Sequence, residues 1–137
     1  TFFVMDADEF KMINDKYGHL KGDQALKDIA TALETSVKQA TNRHLALFRY
    51  AGDEFVIIGS NMSEEDIESL TGYISENLLK ANDFNKEKGE QYHLALSIGT
   101  STMSCSNELE FDQLLKNADE NMYSNKSTKR HKSRSRA

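Results

Sequence analysis

Two adjacent carboxylates beside a short turn constrain this chain more than any other feature. Asp53 and Glu54 directly follow the small pair Ala51–Gly52, and apolar runs flank them at residues 45–50 and 55–59. Two β-type runs joined by a glycine-containing turn predict a β-hairpin. Because like charges at close range repel, an acidic pair here indicates a cation or solvent that shares the charge. A hard metal ion, with a phosphate held near main-chain N–H groups, suits this arrangement.

A third carboxylate follows the first apolar run of the chain. Residues 2–5 are all apolar, and Asp6 comes directly after them. A continuous apolar run predicts a strand buried on both faces, and ligands commonly bind where strands end. Asp6, Asp53 and Glu54 would then bring three carboxylates to Mg²⁺ or Mn²⁺ and to substrate phosphates. The simpler interpretation is that these acids are merely solvated. We prefer that interpretation for Asp6 taken alone, and the metal site for the three acids together.

The predicted elements run in the order strand, helix, helix, hairpin, helix, strand, helix. This order predicts a mixed α/β (α+β) fold, with a central, mostly antiparallel sheet flanked by helices. Residues 10–17 predict a short helix ended by Gly18, and a long helix is predicted to open at Gly22. The other predicted elements are a helix after a capping box at Ser63–Asp66, a polar loop over 82–91, a strand over 93–99 and a last helix over 111–122.

Composition and charge bound the class of protein. The 137 residues are enough for one domain with a substantial core, and no apolar stretch approaches the length of a membrane span. The net charge is −5, yet residues 125–137 contain six Lys or Arg and no acid. This basic run could contact nucleic acid or a membrane, but we expect a solvated, frayed end and no nucleic-acid partner. The single Cys105 cannot form an internal disulfide, which fits a reducing, cytoplasmic compartment.

Four blocks of the sequence resemble one known family. Together they are similar to GGDEF domains, the diguanylate cyclases, with the signature in the variant form AGDEF. Because the blocks occur in order along nearly the whole chain, residues 1–130 are identified as a GGDEF domain that lacks the family's preceding N-terminal helix, and residues 131–137 as a basic tail. The matching blocks lie within residues 6–23, 51–55, 97–99 and 118–123.

The resemblance implies a fold, a reaction and partners. The implied fold is like the palm of nucleotide polymerases and nucleotidyl cyclases. The implied reaction converts two GTP molecules into cyclic di-GMP and two pyrophosphates, across a homodimer whose two sites face each other. The family also implies a cytoplasmic domain that an upstream sensor domain controls. The full-length protein would then be compatible with a membrane anchor.

Site residues follow from the same resemblance, position by position. Asp6 and Glu54 resemble the metal-binding acids, and the Ala7 carbonyl would complete the metal shell. Asp53 stands at the position linked to the metal and to activation of the attacking 3′-hydroxyl, so Asp53 and Glu54 are the expected catalytic residues. The expected substrate-binding residues are Lys11, Asn14, Asp23, Gly52, Lys126 and Arg130.

The expected substrate-binding residues include two groups, one for the guanine base and one for the phosphates. Asn14 and Asp23 resemble the guanine readers, and a carboxylate can accept from the guanine N1–H and N2 amino groups, which adenine lacks. An adenine-accepting cyclase is therefore disfavoured. Lys11, Lys126 and Arg130 resemble phosphate contacts. Without the resemblance, each of these side chains would be interpreted as an ordinary surface residue or helix-end charge.

Two departures from the family pattern keep alternatives open. Ala51 replaces the first glycine of the signature, and its methyl group would crowd the nucleotide or strain the turn. Asn42 and Leu45 stand where the family's Arg-x-x-Asp product-inhibition motif belongs, so we expect no feedback at that site. The alternatives to an active cyclase are a non-catalytic module that binds GTP and regulates a neighbouring domain, and a structural dimerisation module.

Overall fold

Four strands form one sheet in which every neighbouring pair is antiparallel, in the order β2-β3-β1-β4. The predicted mixed fold with a mostly antiparallel sheet is confirmed. The hairpin is confirmed as well, because β2 and β3 are consecutive and paired. The strands are β1 (Phe2–Ala7), β2 (Leu45–Ala51), β3 (Glu54–Gly59) and β4 (Leu96–Ser101).

The computed structural model of this chain describes residues 1–40, 44–102 and 108–136, with side chains of the last segment described over 112–126. Asn42, Cys105 and the Arg130 side chain lie outside the described residues. No helix within the described ranges is both long enough and apolar enough to span a membrane.

Helices cover both faces of the sheet. Helices α1 (Phe10–Tyr17), α2 (His19–Gln39) and α3 (Glu64–Glu87) pack on one face, and α4 (Glu108–Arg136) packs on the other, against β4 and β1. Strand β1 lies in the middle, and all six of its residues are buried, as its continuous apolar character predicts. Because side chains alternate along a strand, Phe3 faces α2 and α3, whereas Val4 faces α4.

The junction of α1 and α2 differs from the prediction. Helix α1 ends at Gly18, as expected, with φ at +89°. Helix α2, however, begins at His19, so the predicted start at Gly22 is wrong. Gly22 is buried inside the helix, where α1 approaches α2 closely, and the glycine marks that close contact rather than a helix start.

Helix α3 begins as predicted and ends later than predicted. Ser63 and Asp66 form the predicted capping box, with the Ser63 Oγ accepting from the Asp66 backbone N–H at 3.1 Å. The predicted loop over 82–91 is wrong for residues 82–87, since α3 continues to Glu87, and is confirmed for residues 88–91, which lie outside any helix or strand. The polar residues in this part of α3 form hydrogen bonds to residues outside the helix. The Asn82 amide donates to the Leu94 carbonyl and accepts from the Leu94 N–H, and the buried Asn85 donates to Asp28.

The ends of β4 and α4 also differ from the prediction. Strand β4 begins at Leu96, three residues later than the predicted 93, because the Asn82 amide rather than a neighbouring strand holds the backbone at Leu94. Helix α4 continues to Arg136. The basic tail is therefore helical where we expected a frayed end.

Candidate active site

The two predicted metal-binding acids lie directly opposite each other on neighbouring strands. Asp6, near the end of β1, pairs in register with Glu54, the first residue of β3. Asp6 is only 8 % exposed, and among the described residues its Oδ1 atom has no hydrogen-bond partner. A buried carboxylate oxygen without a donor is costly in a folded protein unless a cation or a donor serves it. The pair therefore has the donor set of a divalent-cation site.

Asp53 lies in the turn between β2 and β3, close to Asp6. Its backbone carbonyl accepts a hydrogen bond from the Ala7 N–H at 3.1 Å, which holds the turn against the end of β1. Burial raises the pKa of Asp53 from 3.8 to about 6, and the neighbouring Asp6 carboxylate adds to the rise. Asp53 therefore keeps its proton below about pH 6, whereas at neutral pH its charged carboxylate lies beside that of Asp6.

Negative charge also accumulates around Glu54. Burial, followed by the charges of Asp6 and Asp119, raises the pKa of Glu54 above its ordinary value. Glu54 faces α4 and lines a cleft of about 290 Å³ together with Lys116 and Asp119. An excess of carboxylates in one partly buried region lowers the free energy of binding a divalent cation.

Lys126 partly neutralises this region. Its ammonium, on α4, donates to the Asp6 Oδ2 atom at 2.6 Å, and both side chains are largely buried. The sequence predicts Lys126 as a phosphate contact, and the contact with Asp6 was not predicted. The two residues are 120 positions apart in the chain, so no local pattern could have revealed the pair.

The set of acids does not form a preformed metal cage. Across the segments that the structure describes, no three His, Cys, Asp or Glu side chains converge closely enough to hold a metal ion. The predicted three-carboxylate cluster is therefore incomplete within the chain. Two carboxylates are nevertheless what Mg²⁺ commonly takes from a protein when substrate phosphates supply the remaining ligands.

The turn of the hairpin carries its positive φ at Gly52, which has φ at +50°. Ala51 is the last residue of β2 and pairs with Glu54, so the substituted residue of the signature belongs to the strand. The Gly52 carbonyl accepts a hydrogen bond from the Arg49 Nε atom at 2.8 Å. Arg49 therefore braces the turn, a role that the sequence analysis did not identify.

The predicted guanine-reading residues lie on the other face of the sheet. Asp23 lines a cleft of about 310 Å³ between α2 and the hairpin, with an apolar floor that includes Leu26 and Phe55. Lys27 and Arg49 line the same cleft and were not predicted. Lys27 could have been found from the sequence, since it lies one helical turn after Asp23.

Asn14 is close to this cleft without lining it. Its Oδ1 atom is buried, and the part of the chain that the structure describes offers it no hydrogen-bond partner. Asn14 packs against Gly22, immediately before Asp23. Lys11 is exposed on α1. The structure thus brings Asp6, Asp53, Glu54 and Lys126 together, and brings Asn14 close to Asp23 through Gly22.

Comparisons with known proteins identify the family and the fold of this chain. A family profile described as diguanylate cyclase, GGDEF domain, matches residues 1–132. The chain is 32% identical over 127 residues to the diguanylate cyclase DosC of Escherichia coli, covering 90% of this chain and 25% of that protein. It is 30% identical over 131 residues to the diguanylate cyclase DgcS of Shewanella oneidensis, covering 96% of this chain and 40% of that protein. The chain thus spans a quarter to two fifths of the length of these curated relatives.

A solved structure gives the same result at the level of the fold. The active GGEEF domain of a diguanylate cyclase from Vibrio cholerae superposes with a TM-score of 0.72 at 25% sequence identity. The superposition covers 90% of this chain and 73% of that one. Its strands and helices therefore follow the same course as those described here.

Proposed function

We propose, from the premise that this chain belongs to the GGDEF family of diguanylate cyclases, that it joins two GTP molecules into cyclic di-GMP and releases two pyrophosphates. The observation that carries the proposal is the pairing of Asp6 with Glu54 across β1 and β3, with a buried carboxylate oxygen that has no donor among the described residues. Solvated acids at strand ends would not require that burial.

Asp6 and Glu54 would hold the metal ion, with the Ala7 carbonyl completing the protein's ligands. A bound Mg²⁺ or Mn²⁺ would offset phosphate charge and lower the pKa of the attacking hydroxyl. Asp53 stands beside Asp6, with a pKa of about 6 that leaves a carboxylate able to accept a proton near neutral pH. We assign to Asp53 the role of accepting the proton that the 3′-hydroxyl loses when it attacks.

The nucleotide would bind through both faces of the sheet. Asp23 and Asn14 would read the guanine base, and Lys11, Lys126 and Arg130 would contact the phosphates. Gly52, with no side chain, would let its backbone approach the nucleotide closely. Each 3′-oxygen would bond to the α-phosphorus of the other GTP while the bond from that phosphorus to pyrophosphate breaks.

Each domain would hold one GTP, so the reaction requires two copies that face each other. A monomer supplies only half of the reacting pair and should be a weak catalyst. Control by an upstream sensor domain, a cytoplasmic location and the absence of a nucleic-acid partner remain predictions of the same proposal.

A product assay tests the proposal. Purified protein is incubated with GTP and Mg²⁺ at several protein concentrations, and cyclic di-GMP is quantified by chromatography. We expect the rate to rise more steeply than linearly with protein concentration. Absence of product from artificially dimerised protein would contradict catalysis.

One observation favours a second candidate, a module that binds GTP without turnover. Ala51, which replaces the first glycine of the signature, directly precedes Gly52 and pairs with Glu54 in the strand register. Calorimetry with GTP, run beside the product assay, separates the two: binding without product selects the regulatory module.

A further inference from the structure

We infer that the Lys126 ammonium, bound at Oδ2 of Asp6, opposes the binding of a divalent cation at the Oδ1 atom of the same carboxylate, and that the opposition is relieved when an anionic acceptor such as a triphosphate draws the ammonium away. The identity of that acceptor rests on the proposed function. The competition itself rests on the contact between Lys126 and Asp6 in the structure.

The contact between Lys126 and Asp6 has the features of a strong ion pair. The Nζ–Oδ2 distance is 2.6 Å, and the exposed fractions of the two side chains are 16% and 11%. A charge-assisted hydrogen bond at this distance and burial is stronger than a neutral one.

A dication and the ammonium cannot share Asp6 without cost. Both would lie within a few ångströms of one carboxylate, in a partly buried region where their mutual repulsion is only weakly screened. Removing the ammonium should therefore favour the metal ion. Lys126 has a flexible four-carbon stem, which lets its ammonium reach a second acceptor without movement of α4.

The consequence is a coupling between the metal and the nucleotide. The metal alone must either bind beside the Lys126 ammonium or displace it from Oδ2, and both are unfavourable. When a triphosphate binds as well, the ammonium gains phosphate oxygens as acceptors. The lysine thus makes the binding of each ligand more favourable in the presence of the other, and this effect is reciprocal.

The test measures Mn²⁺ binding by electron paramagnetic resonance, without nucleotide, in the wild type and in Lys126→Met. Methionine keeps an unbranched apolar side chain, one atom shorter than that of lysine, and removes the charge. Removing one competing charge-assisted hydrogen bond should tighten Mn²⁺ binding on the order of tenfold. Binding of GTP in EDTA should weaken in the same variant. The control is Lys116→Met, on the same helix beside the Glu54 cleft, which should change neither affinity by more than about twofold.

The opposite signs of the two effects identify the competition. A purely structural role for Lys126 would weaken both ligands together. Unchanged or weaker Mn²⁺ binding in Lys126→Met overturns the inference, as does an equal gain in Lys116→Met. Because no turnover is measured, these outcomes are independent of whether the wild type makes cyclic di-GMP.

Thermal unfolding covers the case in which Lys126→Met is too unstable for titration. Loss of the ammonium leaves Asp6 buried without a counter-charge, so the variant should unfold at a lower temperature in EDTA. Saturating Mn²⁺ should then raise its Tm more than it raises the Tm of the wild type. Equal increases in the two proteins would overturn the inference.

Discussion

Gly22 lies so close to Asn14 that a Cβ atom on residue 22 would come within 1.8 Å of the Asn14 Oδ1 atom. An alanine there must therefore displace the Asn14 amide, although alanine favours a helix over glycine by up to about 1 kcal/mol. The same contact holds Asn14 beside the cleft that Asp23 lines.

Gly22→Ala should weaken GTP binding by about tenfold, because the amide moves away from the base, as is typical when one buried hydrogen bond is lost. Calorimetry measures the affinity. The matched control is Gly72→Ala on α3, where no described atom outside the helix's own neighbouring backbone lies within 4 Å of the added Cβ. The control should gain up to about 1 kcal/mol of stability and keep its GTP affinity. Unchanged affinity in Gly22→Ala would remove Asn14 from the site.

Glu54→Gln should lower the rate of cyclic di-GMP formation by more than about 100-fold, since even the residues behind metal ligands typically contribute 10–100-fold. The folded state should survive, because burial and nearby acids already disfavour the charge of Glu54. Chromatography measures the product and calorimetry the Tm. Glu120→Gln, an exposed acid on α4, serves as the control and should retain full activity. Substantial turnover by Glu54→Gln would refute a metal-binding role.

Asp53→Asn should stabilise the protein in EDTA at about pH 7.5 by about 1–3 °C in Tm, a modest value because the carboxyl is partly solvated. The pKa of Asp53 is about 6 in the folded protein and 3.8 ordinarily, so the folded state holds this proton more tightly than the unfolded state does. The stability that Asp53 contributes is therefore fully present below pH 3.8 and is lost as the pH rises through about 6. The gain in the variant should therefore vanish near pH 4.

Scanning calorimetry at several pH values measures this difference. Asp83→Asn, an exposed acid on α3, is the control and should leave the Tm nearly unchanged at every pH. A gain that persists unchanged at pH 4 would show that the repulsion between Asp53 and Asp6 is not its cause.

Arg49→Gln should loosen the turn of the hairpin, because Arg49 donates to the Gly52 carbonyl. Amide hydrogen exchange at residues 52–54 should become about 2–10-fold faster, the range expected for one hydrogen bond of about 0.5–1.5 kcal/mol. Lys27→Gln provides the comparison, since Lys27, on α2, lines the same cleft as Arg49. Equal acceleration in the two variants would mean that charge in the cleft, rather than the bond to Gly52, holds the turn.

The sequence was sufficient for the features that depend on local pattern. The continuous apolar run of β1 predicted burial on both faces, and the Ser63–Asp66 spacing predicted a cap that the structure contains. The acids at the ends of β1 and β3 came together because the hairpin and the sheet order leave few other registers. Each of these depends on neighbours in the chain or on one strand pairing.

The features that the sequence did not reveal depend on partners far along the chain. The polar character of residues 82–91 suggested a loop, yet in α3 Asn82 and Asn85 bond to Leu94 and Asp28. Gly22 suggested a helix start, whereas its small size serves the packing of Asn14. Lys126 suggested a phosphate contact, and its bond to Asp6 depends on the packing of α4 over β1.

The hairpin turn separates two sides of the sheet with different chemistry. Glu54 faces α4, whereas the cleft that Asp23 and Phe55 line opens beside α2. A GTP bound as proposed would have to straddle the rim of the sheet, with its base on one side and its phosphates on the other. The chain itself leaves open space around a Cβ on Gly52. Apart from its φ, the requirement for glycine at this crossing would therefore come from the nucleotide that passes over it.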